Sequence, residues 1–232
     1  VLDIRGGTAE LSTRMPSSTV ENYLKTIFHL AESVADHGLV PVGRVAEHLA
    51  LTPGTVTTMM KQLERLGYIR SEPRKGVKLT KTGRETAVRV LRRHRLIELF
   101  LVEVMELDWS EVHEEAEILE HAFSDRLIER IDEMLGRPSH DPHGDPIPDA
   151  RGVMAADPLR ELGVCPPGAY RLVRVSRDEV SLLQWLNRQG LTPGAEFEIT
   201  ARDDLAGILT IRVGKRKPVA VSKALAASLW VK

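Results

Sequence analysis

Residues 42–67 read Val-Gly-Arg-Val-Ala-Glu-His-Leu-Ala-Leu-Thr-Pro-Gly-Thr-Val-Thr-Thr-Met-Met-Lys-Gln-Leu-Glu-Arg-Leu-Gly. Val42, Val45, Ala46 and Leu49 recur at helical spacing and predict a short helix over 42–49. Ala50-Leu51-Thr52 leaves room only for a tight turn. Pro53 then falls in the first turn of a second helix, where its missing N–H costs little. Val56, Met59, Met60, Leu63 and Leu66 form the inward stripe of that helix, and Gly67 closes it. Beyond it, Tyr68–Arg70 and Val77–Leu79 flank Pro73-Arg74-Lys75-Gly76, which predicts two strands and a basic hairpin tip. Helix, turn, helix and basic hairpin make a winged helix-turn-helix. In such an element the second helix enters the major groove of DNA, while the wing reaches phosphates or the minor groove.

The polar face of the second helix carries Thr52, Thr55, Thr57, Thr58, Lys61 and Gln62. Threonine hydroxyls and methyls and a glutamine amide suit base edges. Lys61, Arg65, Arg74 and Lys75 suit phosphates, which position a protein without specifying sequence. The net charge of −1 is uninformative, but its distribution is not. From Val56 to Arg95 a run of lysines and arginines is opposed only by Glu64, Glu72 and Glu85, and from Leu96 to Leu135 acids dominate. That asymmetry predicts one surface for polyanions and another for cations. A three-helix module that binds protein is the competing reading of the same helices, and it leaves the basic wing unexplained.

Working outward, Ser17 or Ser18 caps a helix through Val20, Leu24, Ile27, Phe28 and Leu30, ended by Gly38. Downstream, Thr80 or Thr82 caps a long helix from Gly83 to about Leu107. Its apolar residues exceed one stripe, which predicts burial on two sides, as at a subunit interface. Ser110 is expected to cap the next helix, His113-Glu-Glu-Ala-Glu-Ile-Leu-Glu-His121. At about 100° per residue, His113, Glu117, Glu120 and His121 share one face. Two imidazoles and two carboxylates on one turn of wall suit a divalent transition metal, and His94 with Glu98 adds a second pair four residues apart. A solvated acidic face is the bland alternative. Ser124 is read as the cap of a further helix with Leu127, Ile128, Ile131 and Leu135 inward, stopped by Gly136.

Residues 136–158, with His140-Asp-Pro-His-Gly-Asp-Pro-Ile-Pro148, are too rich in Pro and Gly for regular structure and read as a linker. Histidines set among prolines, such as His140 and His143, usually bind no metal. From about residue 165 the pattern turns to period two, with one helix over 181–189, and predicts a small all-β barrel. The fold class is therefore mainly α with a small β domain. The divisions are an N-terminal arm at 1–16, expected to be mobile, and a winged helix-turn-helix at 17–82. A helical metal-binding and dimerisation domain at 83–150, a linker at 151–164 and the barrel at 165–232 follow.

Apolar and charged fractions of 42% and 28% are those of an ordinary globular protein. No apolar run has membrane-spanning length, and residues 1–15 lack a signal-peptide core. The lone Cys165 rules out an internal disulfide framework and suits a reducing compartment; a cytoplasmic location is expected. Cys165 lies in a turn-rich stretch and is not expected to ligate metal.

Taken together, Val20-Glu-Asn-Tyr-Leu-Lys-Thr-Ile27, His94-Arg-Leu-Ile-Glu98, the 113–121 run, Ser124-Asp125 and Gly144-Asp-Pro-Ile-Pro148 resemble the diphtheria toxin repressor and manganese transport regulator family of metal-dependent repressors. The match covers about residues 17–150. Residues 153–232 are similar to the SH3-like barrel, related to the FeoA domain, of longer members. The resemblance implies an ancillary metal site of His94, Glu98 and His113, and a primary site of Glu117, Glu120 and His121. It places the remaining primary ligand at Asn22, where iron-type members present a thioether and manganese-type members a carboxylate. Asn22 offers a carbonyl oxygen, either to the metal or to bound water. Lys25 stands where manganese-type members carry a further acid, and an ammonium cannot ligate. For the barrel, Asp178, then Glu179, is the expected extra donor to the ancillary site. With no sulfur in the set, hard oxygen and nitrogen ligation favours Mn²⁺ over Fe²⁺.

The function expected is a homodimeric, metal-activated repressor of metal-uptake genes that binds a palindromic operator and has no enzymatic activity. A metallohydrolase built on the His/Glu cluster and a winged-helix regulator sensing an organic ligand are the alternatives.

Overall fold

The computed structural model describes residues 16–32, 38–155 and 157–232. The expected N-terminal arm lies outside the described residues, apart from Pro16. The chain divides into two compact units, Val1–Ala87 and Val88–Lys232.

In the first unit, α1 (Ser18–Glu32) buries Val20, Leu24, Ile27, Phe28 and Leu30, the predicted stripe. Ser17 is its cap, its hydroxyl accepting from the Val20 N–H at 3.4 Å. Gly38 has φ +74°, but the approach to it over 33–37 lies outside the described residues. Helices α2 (Val42–His48) and α3 (Pro53–Arg65) follow, with Pro53 in the first turn of α3 and the Thr52 hydroxyl accepting from the Thr55 N–H. Leu66, expected inward, is 51% exposed. The helix ends at Arg65, and Gly67 at φ +78° turns the chain away before Leu66 can join the stripe.

Strands β1 (Ile69–Glu72) and β2 (Gly76–Leu79) pair antiparallel from Ile69↔Leu79 to Glu72↔Gly76, and Val40 bridges Val77 on the far side of β2. Gly76 has a specific reason to be glycine. Its φ is +142°, and a Cβ there would lie 2.3 Å from the Val40 carbonyl oxygen. The Thr80 hydroxyl then accepts from the Gly83 N–H at 3.1 Å and caps α4 (Lys81–Glu103).

In the second unit the rest of α4 packs with α5 (Val112–Ala122) and α6 (Asp125–Met134). Leu96, Ile97, Leu101, Val112, Ala116, Ile128, Ile131 and Ile147 form their core. Three sequence expectations fail here. α4 stops at Glu103 rather than near Leu107, because Glu106 adopts φ +57° and reverses the chain. Ser110 caps nothing. It is buried, its hydroxyl is spent on Asp108 at 2.6 Å, and the residue at the cap of α5 is Glu111, without a side-chain bond. Leu127, expected inward on α6, is 51% exposed, whereas Ser124 caps that helix as predicted.

The arginines at the end of the basic run are a fourth correction. Arg92 meets Glu129, Asp132 and the Pro148 carbonyl, each at 3.2 Å. Arg93 meets Asp125 at 2.6 Å, and Arg95 donates to the Pro146 carbonyl at 2.6 Å. All three are buried or nearly so, holding α6 and the following loop rather than facing a polyanion.

The barrel is an antiparallel six-stranded sheet in the order β3-β8-β4-β5-β6-β7. Its strands are β3 (Arg160–Glu161), β4 (Gly168–Val175), β5 (Glu196–Asp203), β6 (Ile208–Arg212), β7 (Val219–Ser222) and β8 (Leu229–Val231). Helix α7 (Val180–Gln189) and the short α8 (Lys223–Ala226) interrupt it. β3 and the fully buried Leu162 lie in the stretch expected to be linker.

The Pro/Gly-rich segment before it is irregular but ordered, which corrects the other half of that expectation. Asp141 Oδ1 accepts from the N–H groups of His143 and Asp145, both at 2.9 Å, closing a tight turn. The His143 carbonyl accepts from the Val175 N–H at 2.9 Å. Gly144, at φ +85°, passes so close to β4 that a Cβ would lie 1.9 Å from the Val173 oxygen. Trp109, from the α4–α5 connection, packs in the barrel core.

Candidate metal centre and nucleic-acid interface

Thr52, Thr55, Thr57, Thr58, Lys61, Gln62 and Arg65 are all exposed on α3 or at its start, and Arg74 and Lys75 are exposed at the hairpin tip. The threonines are not equivalent. Thr57 and Thr58 donate their hydroxyl protons to the carbonyls of Pro53 and Gly54, at 2.7 and 3.0 Å. What they present outward is a methyl group and an acceptor lone pair, not a donor. Lys75 has a loose partner in Glu72 at 3.3 Å on an exposed surface, a pair worth little and easily exchanged for phosphate.

The titratable cluster of the second unit is built on α4 and α5, with spacing of three and four residues setting each side chain's face. His94 is its centre. Its Nδ1 lies 2.6 Å from Glu120 Oε2, and its Nε2 lies 3.0 Å from Glu98 Oε1 and 3.2 Å from His113 Nδ1. His113 Nδ1 is 3.3 Å from Glu98 Oε1. The Asp178 carboxylate, from the loop before α7, stands 3.3 Å from His113 Nε2, while Glu179 pairs with Arg177 instead. Glu117 Oε1 is 3.8–3.9 Å from both His113 and His94, and His121 Nε2 is 3.4 Å from Glu120 Oε1. Asn22 lies on α1, in the other unit.

Three groups of donors come within 4.8 Å of one another: His94, Glu98 and His113; His94, Glu117 and Glu120; and Glu98, Asp141 and His143. The first two combine residues expected from the sequence, though His94 enters both. The third was missed. Its only sequence signal is the His140-Asp-Pro-His143 stretch, whose loop setting argued against ligation. His140 itself pairs with Asp157 at 2.7 Å. Cys165 is apart from all of these, buried in the barrel, with burial pushing its thiol pKa up.

Electrostatics holds the cluster together. Burial works against ionising Glu98, but the charge of His94 and hydrogen bonds from His113, His143 and His94 hold it well below the usual carboxylate range. Burial likewise opposes charge on His143, yet Glu98, Asp141 and the Trp109 carbonyl raise it to about 9. Asp141 is pushed up to about 7 by burial and by Glu98 and Asp145. Buried imidazoles and carboxylates at these separations, free of sulfur, fit a divalent first-row cation.

The N-terminal DNA binding domain of iron dependent repressors matches residues 15–77. Their metal binding and dimerisation domain matches 80–149, and the FeoA domain matches 159–232. The chain is 32% identical over 229 residues to the iron-dependent repressor IdeR of Mycobacterium leprae, covering 92% of this chain and 96% of that one. To the diphtheria toxin repressor of Corynebacterium diphtheriae it is 32% identical over 197 residues, covering 80% and 85%. Among solved structures, a manganese-dependent transcriptional repressor in complex with manganese is similar, with TM-score 0.83 and 34% identity over 92% of this chain and 99% of that one. The T. acidophilum IdeR structure gives 0.71 and 26% over 98% and 99%. With a winged helix-turn-helix, a His/Glu cluster on the two following helices and a C-terminal barrel in that order, the chain belongs to the iron-dependent repressor family of metal-dependent DNA-binding regulators.

Proposed function

We propose that the protein is a repressor of metal-uptake genes whose affinity for a palindromic operator is set by Mn²⁺, with Fe²⁺ the alternative, and that it acts in the cytoplasm as a homodimer. The observation that carries this reading is His94. One imidazole touches carboxylates of both α4 and α5, so the two helices meet through groups whose charge depends on what is bound. Among the described residues no helix is long and apolar enough to cross a membrane.

His94, Glu98 and His113 with Asp178 are assigned as one set of ligands. Glu117, Glu120 and His121 are assigned as the other, and the family resemblance adds Asn22. A divalent cation there would supply positive charge that neutralises Glu98, Glu117 and Glu120. The chain's own residues do the rest. Glu120, fully buried, fixes the tautomer and ring orientation of His94, and Asp178 orients His113. Absence of thiolate and thioether donors supports Mn²⁺. Exposed apolar side chains at Val104, Met105, Leu107, Ile118, Leu127 and Met134 support self-association of the helical domain, and correct the expected double burial within one chain.

Linkage sets the energetics. If metal favours the DNA-competent dimer, DNA must tighten metal binding by the same factor. Lys61, Arg65, Arg74 and Lys75 are assigned to phosphates, and Thr52, Thr55, Thr57, Thr58 and Gln62 to base edges.

The test is DNA binding by fluorescence anisotropy on the promoter of the protein's own gene and on those of metal transporters. It is run at fixed salt with chelator, Mn²⁺ or anaerobic Fe²⁺. The expected result is tightening with metal that is lost in His121→Ala. Tight binding indifferent to metal would refute the reading.

A further inference from the structure

Glu98 divides its carboxylate between two groups of donors. Oε1 faces His94 Nε2 at 3.0 Å and His113 Nδ1 at 3.3 Å, while Oε2 faces His143 Nδ1 at 3.8 Å. The residue is buried in the middle of α4, so neither oxygen is free to swing toward solvent. The ligand atoms on each side lie within 4.8 Å of one another.

The second side is built as carefully as the first. His143 Nε2 lies 2.9 Å from the Trp109 carbonyl oxygen and must donate to it, which leaves Nδ1 as the atom presented to Glu98. The Trp109 indole lies against the same imidazole, ring centroids 5.4 Å apart, and restricts its rotation. Asp141 is fixed by the two backbone N–H groups that its Oδ1 accepts, leaving Oδ2 with only a loose 3.5 Å approach from Arg95 Nε. Glu98, Asp141 and Asp145 thus share a single guanidinium, Arg95, which is itself engaged by the Pro146 carbonyl. The local excess of buried negative charge calls for further cationic charge.

We propose that Glu98 is a bridging carboxylate between two divalent cations, one held also by His94, His113 and Asp178, the other by Asp141 and His143. A carboxylate whose two oxygens serve different metals is how paired cations a few ångströms apart are held. This rests on the reading that the α4–α5 cluster takes a cation, and goes beyond it in the number bound and in the roles of Asp141 and His143.

The experiment is Mn²⁺ stoichiometry on the full chain by equilibrium dialysis and elemental analysis, with electron paramagnetic resonance on the same samples. Glu117→Ala with His121→Ala forms the background that removes the other ligand set. Two Mn²⁺ per chain with an exchange-broadened spectrum are expected in that background. Glu98→Gln loses both. His143→Ala or Asp141→Asn loses one and restores the sharp hyperfine pattern of isolated Mn²⁺, and His113→Ala loses the other. Melting curves in chelator identify any variant that fails to fold, and the near-isosteric Asp141→Asn then stands in for His143→Ala. One Mn²⁺ in the background, or one retained by Glu98→Gln, overturns the bridge while leaving the metal-binding reading intact. No Mn²⁺ on the unmodified chain overturns both.

Discussion

His94 and Glu120 are joined at 2.6 Å, and Glu120 has no exposed surface at all. A carboxylate so placed depends on its partner. Removing one member of a buried pair leaves an uncompensated charge, at a cost of about 3–5 kcal/mol. His94→Leu should therefore lower the unfolding free energy in chelator by about 3 kcal/mol, read from urea denaturation. His94→Leu with Glu120→Leu should recover a large part of that loss. Full additivity of the two changes would show that the pair is not coupled.

The outward methyls of α3 make a prediction about base reading. Thr58 spends its hydroxyl proton on Gly54, so Thr58→Val keeps what the helix presents and should leave operator affinity nearly unchanged. Thr58→Ser removes the methyl and should cost on the order of 1 kcal/mol. The reverse order in a binding titration would mean that the hydroxyl is the reading group.

Charge at the wing and charge on α4 should separate in a salt series. Lys75→Ala should reduce the slope of log K against log salt by about 0.9, the contribution of one phosphate contact. Arg92→Lys should leave the slope unchanged, since Arg92 is engaged by Glu129, Asp132 and Pro148. Equal slope changes in the two variants would return Arg92 to the DNA surface.

Gly144 should tolerate no side chain. At φ +85° and 1.9 Å from the Val173 oxygen, Gly144→Ala must displace either the loop or β4. A loss on the order of 1–3 kcal/mol is expected from the backbone conformation alone. The measurement is limited proteolysis, where cleavage within residues 145–158 should accelerate in the variant. Unchanged cleavage would show that the loop gives way without releasing β4.

Metal should stabilise the chain as well as activate it. At a free Mn²⁺ concentration a hundredfold above its dissociation constant, one site adds about 2.7 kcal/mol. The melting temperature should rise accordingly over that in chelator, and rise less in His121→Ala.

Legibility in the sequence followed the range of the interaction. The winged helix and the donors of α5 were readable because periodicity and capping are local: Pro53, Thr52 and Gly67 punctuate α3 from within a few residues. Asp178 came only through resemblance, since nothing near it announces that it meets His113 from 65 residues away, as 178 less 113 gives. Asp141 and His143 were passed over because their partner, Glu98, lies on another element and a Pro-rich context argues against ligands. Arg92, Arg93 and Arg95 misled for the same reason. Charge counting sees the guanidinium but not the Asp125, Asp132 or Pro146 that takes it inside. Leu66 and Leu127 fit the helical period, yet one stands just past a helix end and the other on its solvent side.

Trp109 belongs by sequence to the helical half and by packing to the barrel, where it lies with Leu162, Leu172 and Leu183. An excised fragment of residues 159–232 would be left with an indole-sized void, and an excised helical half would present a bare indole to water. Calorimetry of the intact chain should accordingly show residues 88–232 melting in a single endotherm. In this protein the barrel is not a detachable module that recombination can trade between chains, unless residue 109 travels with it.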